Sequence, residues 1–171
     1  TLLRVATRAA RQVVETQFGP EARDQRERIQ ERVQRSAGQV DRLPGLADLV
    51  EAGGPVSSRT AYAIWSSTDL GSPGFLLTSS VEVYGSDGSL ASRFAFNLPE
   101  DPGAPGEWTG QECGWQTYEE VSSFASDERR LLFSGRALCR PDGRRAGAIV
   151  LRAMLDYDAL SFISARSLPY E

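Results

Sequence analysis

The hydrophobic pattern of this chain changes period near Phe75, and that change restricts the folds open to it. Before it, apolar residues recur at three- and four-residue steps: Leu2, Val5, Ala6, Ala9, Val13 and Val14, then Ala22, Ile29, Val33, Ala37 and Val40. That spacing lays them along one stripe of a helix, and predicts helix from residue 2 to about 42 with an interruption at Phe18-Gly19-Pro20. After Phe75 the alternation has period two and predicts strands at 75–84, 89–97, 117–124, 131–139 and 146–155. Helices gathered before strands, rather than alternating with them, point to an α+β fold in which the helices pack on a five-stranded antiparallel sheet.

Turn residues punctuate this pattern. Pro44-Gly45 stops the long helix, and a short amphipathic turn at Leu46–Glu51 ends at Gly53-Gly54-Pro55. Ser57 or Ser58 is placed to cap a helix carrying Ala61, Tyr62, Ile64 and Trp65, which Gly71-Ser72-Pro73-Gly74 closes. Ser86-Asp87-Gly88 and Arg140-Pro141-Asp142-Gly143 read as tight hairpins, and Ser126–Arg129 as the remaining turn. Between the second and third strands lies an irregular stretch, 98–116, rich in Pro, Gly and acid; so long a loop in a compact domain usually covers a ligand or serves function. The 171 residues form one domain: a helical region at 1–56, a core at 57–155 and an exit helix or linker at 156–171.

The residue inventory excludes whole classes of chemistry. The chain has no His and no Lys, so zinc sites of the His/Cys type, Ser-His-Asp and Cys-His arrangements, Schiff bases and P-loops cannot be built from it alone. Glu119 and Glu120 are adjacent on a strand and face opposite ways, so they cannot act together on one substrate; Glu107 and Glu112 add no recognisable pair. Glu100/Asp101 and Asp156/Asp158 lack calcium-loop spacing, and no helix follows Gly85-Ser86-Asp87-Gly88. The expectation is a non-enzyme with no cofactor and no metal. A net charge of −4 argues against nucleic acid as a partner. No apolar run approaches the ~20 residues that span a bilayer, and the opening from Thr1 lacks a signal-peptide pattern, as expected of a segment cut from a longer protein. The charge-dense helix face (Arg23, Asp24, Arg26, Glu27, Arg28, Glu31, Arg32, Arg35) reads as solvated, and the narrow apolar stripe suits docking on a sheet or pairing with a second copy.

Alternation also sorts the sheet into faces. Leu90, Phe94, Phe96, Leu131, Phe133, Ile149, Leu151 and Leu155 make a bulky apolar face expected to lie under the helices. The opposite face would carry Ala91, Arg93, Ala95, Asn97, Ser134, Arg136, Val150 and Arg152. Its three arginines, Arg93, Arg136 and Arg152, could line an anion-binding cavity beneath the 98–116 stretch, because the guanidinium fork suits carboxylate or phosphate. The plainer alternative is a solvated face, or pairing with Glu119, Glu120 or Asp127. Trp108, Trp115 and Tyr118 border the same region, to stack on a ligand or to plug the space; Trp65 reads as core. The spacing of Cys113 and Cys139 leaves two buried thiols and one disulfide equally open.

Four stretches carry a resemblance: VEVYGSDGSLASRFAFNLP (81–99), ECGW (112–115), LLFSGRALC (131–139) and DYDALSFISARSLPYE (156–171). With the order long helix, short helices, hairpin, covering segment and three-strand meander, the chain resembles the PAS-like sensor domains of the Cache type. Its text is similar to the extracytoplasmic regions of bacterial membrane sensor histidine kinases. The resemblance implies a signal-sensing domain on the periplasmic face of the inner membrane, anchored by segments outside this chain and paired as a homodimer through the N-terminal helix. It implies an oxidising compartment, in which a Cys113–Cys139 disulfide would pin the covering loop to the fourth strand. It implies no ligand identity, because the amino-acid-recognising arrangement of Tyr, Arg, Trp and Asp is not found in order; a small anion remains the expected ligand. The alternative function is a soluble module that dimerises through residues 20–42 without sensing, and a carboxylate-dependent hydrolase is a distant third.

Overall fold

The computed structural model describes residues 19–50, 56–74, 76–98, 108–124 and 127–156. Helix α1 runs Gly19–Val40, with Pro20 in the first turn, where a missing N–H costs no helical hydrogen bond. Its stripe of Ile29, Val33, Ala37 and Val40 is buried, while Arg23, Glu27, Arg28, Glu31 and Arg35 face water. The expected helix over residues 2–18 and the exit helix after Asp156 lie outside the described residues. The Asp41 N–H still reaches the Ala37 carbonyl, after which Pro44 and Gly45 (φ 68°) end the helix. Helix α2 is Arg59–Ser67; the Ser57 hydroxyl accepts the Arg59 N–H at 3.1 Å, a capping role that falls to the first of the two expected serines. A short 3-10 turn follows at Asp69–Gly71.

Five antiparallel strands follow: β1 Ser79–Gly85, β2 Leu90–Phe96, β3 Gln116–Phe124, β4 Asp127–Cys139 and β5 Arg145–Met154. They lie in the order β2-β1-β5-β4-β3, so the last strand is central and β2 and β3 are the edges. Gly88 and Gly143, both at φ 81°, make the two expected hairpin turns. Both helices cover one face of the sheet. There Val81, Val83, Phe94, Phe96, Leu132, Ile149, Leu151 and Ala153 join the α1 stripe and Ala61, Ile64 and Trp65 of α2 in one core. Full burial of a side chain such as Ile149 or Leu151 contributes about 1.5–3 kcal/mol.

Polar contacts fix α1 in register on this core. Arg35 Nε and Gln39 Nε2 each donate to Asp69 at 2.8 Å, while Gln39 Oε1 accepts the Asp69 N–H. The bonds from Arg35 and Gln39 hold the Asp69 carboxyl below the usual carboxylate range. At the other end Arg26 donates to Glu119 of β3.

Two glycines test this packing in opposite directions. A Cβ on Gly147 of β5 would lie 2.3 Å from the Tyr84 carbonyl oxygen and 2.8 Å from Val50 Cγ1, so the segment after α1 presses on the sheet only because that position is bare. Gly147→Ala should lower stability by about 1–3 kcal/mol by overpacking. Gly38, in α1, has open space around its would-be Cβ, and Gly38→Ala should raise stability by about 0.5–1 kcal/mol through helix propensity. Urea denaturation of both variants checks the pair.

Candidate functional site

The sheet face turned away from the helices is where polar residues gather. The registers align one row of residues across all five strands: Ala95, Ser80, Arg152, Phe133 and Tyr118. The neighbouring row on one side holds Arg93, Glu82, Val150, Gly135 and Gln116, and the row on the other side Met154, Leu131 and Glu120. Arg152 therefore stands at the centre of the sheet with carboxylates diagonal to it on both sides.

Arg152 is fully buried and makes use of both. Its Nη1 donates to Glu82 Oε2, its Nε donates to Glu120 Oε1 at 2.9 Å, and its guanidinium lies 5.3 Å from the Phe133 ring centroid. The Tyr84 hydroxyl donates to the same Glu82 oxygen at 2.7 Å, and Arg93 Nε sits 3.6 Å from Glu82 Oε1. Two arginines thus meet two glutamates and the cluster balances its charge. Burial pulls the Arg152 pKa down, but Glu82 and Glu120 outweigh it and hold the group above its ordinary value. Burial pushes the Glu120 pKa up, against the pull of Arg152 and with the Glu82 carboxylate adding to the rise.

The segment leading into β3 covers this face. The Trp108 ring centroid is 5.2 Å from that of Phe133 and 6.4 Å from that of Tyr84. Gly135 makes room for it, since a Cβ there would come within 3.0 Å of the indole. Arg145 Nη1 donates to the Gly110 carbonyl at 3.2 Å, and the Ala137 N–H donates to the Glu112 carbonyl at 2.7 Å. A Cys113–Cys139 disulfide then ties the segment to the end of β4. Beneath this cover the buried Trp108 Nε1 and Ser80 Oγ have no hydrogen-bond partner among the described residues, and Glu82 Oε1 holds the long ion pair to Arg93 but no hydrogen bond. An indole donor and a hydroxyl left unsatisfied, beside a carboxylate oxygen with room for a hydrogen bond, are what a small polar guest would satisfy.

Of the six residues singled out from the sequence, Arg93, Arg152, Trp108 and Tyr118 meet here, the Tyr118 ring lying 6.1 Å from Phe133. Arg136 and Trp115 do not. Arg136 pairs across the ladder with Ile149 and so points to the helix side, where its Nη2 is 3.1 Å from Asp41 and its guanidinium 5.5 Å from the Trp115 ring centroid. Trp115 Nε1 donates to the same Asp41 at 3.0 Å, clasping the end of α1. The expected faces of β4 are therefore reversed: Leu131 and Phe133 share the Arg152 face, and Ser134 and Arg136 the helix face. Leu131-Leu132-Phe133 is apolar on both sides, so alternation alone does not choose a face, and the register does. Glu82, Tyr84 and Ser80 escaped sequence reasoning; the signal for Glu82 was an acid between two valines in a strand that becomes central.

Among the described residues no group of three or more Cys, Asp or Glu side chains is arranged to hold a metal ion, and no helix is long and apolar enough to cross a membrane. No protein-family model, curated protein or solved structure matches the chain.

Removing the central cation should be severe. Arg152→Met removes the cation that Glu82 and Glu120 share, leaving two carboxylates with Arg93 as their one cation in the cluster, and should cost about 3–5 kcal/mol in chemical denaturation. Glu120 has the opposite signature, read through pH. The folded chain keeps its proton to higher pH than the unfolded chain, so its contribution to stability is complete below the unfolded pKa and is lost as pH rises through the folded one. The stability of the wild type relative to Glu120→Gln should therefore fall on going from about pH 4 to neutrality, as measured by urea titrations at each pH.

Proposed function

We propose that this chain is an extracytoplasmic sensor domain, PAS-like and of the Cache type, belonging to a membrane-bound histidine kinase whose catalytic chemistry resides elsewhere in the protein. The domain itself is not an enzyme. It binds a small molecule or a partner on the covered sheet face and passes the change to α1, which pairs with its counterpart in a homodimer and leads toward the inner membrane through segments outside this chain.

The observation that carries the reading is the position of β3. It is an edge strand, held by hydrogen bonds to β4 alone among the described strands. Its neighbouring residues look both ways: Glu120 bonds to the buried Arg152, and Glu119 bonds to Arg26 of α1, with Gln30 at 3.5 Å. A guest that alters the Arg152 cluster shifts Glu120, and Glu119 moves on the same backbone against the helix. The clasp of Trp115 and Arg136 on Asp41 gives a second route from the covering segment to the same helix. The disulfide fits an oxidising compartment, here the periplasmic face of the membrane. A bare anion would have to displace Glu82 or Glu120 from Arg152. A small molecule that accepts from Trp108 and donates to Glu82 adds to the network instead, and is the better fit.

A thermal-shift screen of small polar compounds tests this function. The expected result is a compound that raises Tm by linkage, loses its effect in Trp108→Phe and changes hydrogen exchange in α1. Stabilisation that leaves α1 exchange untouched would reduce the domain to a binding module, and a uniformly flat screen would favour simple dimerisation. The compartment has its own test. Reduction should add the mass of two hydrogens, Cys113→Ser should leave a titratable thiol at Cys139, and either should lower stability by about 3–4 kcal/mol on the chain-entropy model for a 26-residue separation.

A further inference from the structure

On the helical side of the molecule a groove of about 390 Å³ runs between the turn that follows α1 and helix α2. Leu46 and Leu49 line it from the turn, Ala63 and Ile64 from α2. Its origin lies in the sequence of that turn. Leu46 is buried toward the core, whereas Leu49, one helical step on, is 62% exposed and lines the groove. The volume falls within the range of about 300–1,000 Å³ usual for small-molecule sites, and the mostly apolar lining with few polar groups is the usual composition of such a site.

One charged residue lines the groove, Arg59 at the first position of α2. It is exposed, and no described acid pairs with it. The first turn of α2 contains no acidic residue, and its side-chain cap is the neutral Ser57 hydroxyl. A cation at the positive end of a helix with no acid beside it leaves a local field that an anion would complement. Charge and shape therefore specify one occupant: an apolar chain that ends in a carboxylate.

We infer that the groove is a binding site for a medium-chain fatty carboxylate, its tail between Leu46, Leu49, Ala63 and Ile64 and its head on the Arg59 guanidinium. The site is separate from the sheet face and does not depend on the sensing reading. It joins the turn after α1 to α2, so an occupant would brace the two elements against each other.

Calorimetric titration of the chain with octanoate, decanoate and the neutral octanol, all below their aggregation limits, tests the site. Affinity should rise about fourfold for each methylene added between octanoate and decanoate, and octanoate should bind more tightly than octanol. Arg59→Gln should weaken octanoate about tenfold or more, as expected on loss of a charged hydrogen-bond partner, and leave octanol unchanged. Ala63→Phe, which fills the groove from the exposed side of α2, should abolish binding of all three. The inference is overturned if millimolar octanoate gives no binding, if Arg59→Gln binds octanoate as the wild type does, or if Ala63→Phe leaves binding intact. It is also overturned if sedimentation shows a dimer that Ala63→Phe converts to monomer, since a second copy would then occupy the groove. Should Ala63→Phe fail to fold, the octanoate-to-octanol ratio in Arg59→Gln still decides.

Discussion

A guanidinium with no access to water sits in the middle of this sheet, and the far side of the molecule is organised around it. Arg152 could not remain charged there alone, because taking an ion out of water costs several kcal/mol even after relaxation. Glu82 from one neighbouring strand and Glu120 from the far edge supply the compensation. Arg93 and Tyr84 then surround Glu82, and Phe133 places its ring under the cation. The cover follows from the same need. Trp108 closes over Phe133 and Tyr84, Gly135 yields the space, and the disulfide fixes the segment that brings it there. Apolar packing holds the helix side, whereas the polar side depends on the matching of its charges.

The two sides are joined at few points, and those points are polar. Glu119 and Glu120 place β3 between Arg26 and Arg152, and Asp41 receives both Trp115 and Arg136 just beyond the end of α1. Such contacts are directional and short-ranged, unlike the hydrophobic contacts between α1 and the sheet, and a shift of one partner must be followed or the bond is lost. The groove between the turn and α2 lies outside this pattern, with Arg59 exposed on its lining and no described acid paired with it.

Much of this architecture was legible in the sequence, and the limits of legibility have physical causes. The change of period located all five strands to within a few residues, and the Pro44-Gly45 stop, the two Gly-containing hairpins and the serine before α2 emerge where turn chemistry puts them. Only residues that alternate cleanly revealed their side of the sheet. Val81/Val83 and Phe94/Phe96 do so, whereas Leu131-Leu132-Phe133 offers apolar groups to both faces and was resolved only by its pairing with β5. Arg136 and Arg152 look alike as strand arginines, but one meets Asp41 beyond α1 and the other Glu82 on β1, partners 95 and 70 residues away in sequence. Distance along the chain says nothing about either pairing. The cluster became visible once the strand order placed β5 beside β1.

That strand order also dictates how the molecule can come together. The sheet contains two local units, the β1–β2 hairpin and the β3–β4 hairpin, and among the described strands β5 alone pairs with both. Each hairpin pairs residues close in sequence, while the ladder between β1 and β5 closes a span from Ser79 to Ala153. Loop closure of that kind is slow, and folding rates fall as such non-local pairing grows. During synthesis the earlier strands must wait, two hairpins with no shared partner, until Arg145–Met154 has been made and can be inserted between them. Arg152 travels on that strand, so the halves of the sheet are bridged by backbone and by charge in the same event.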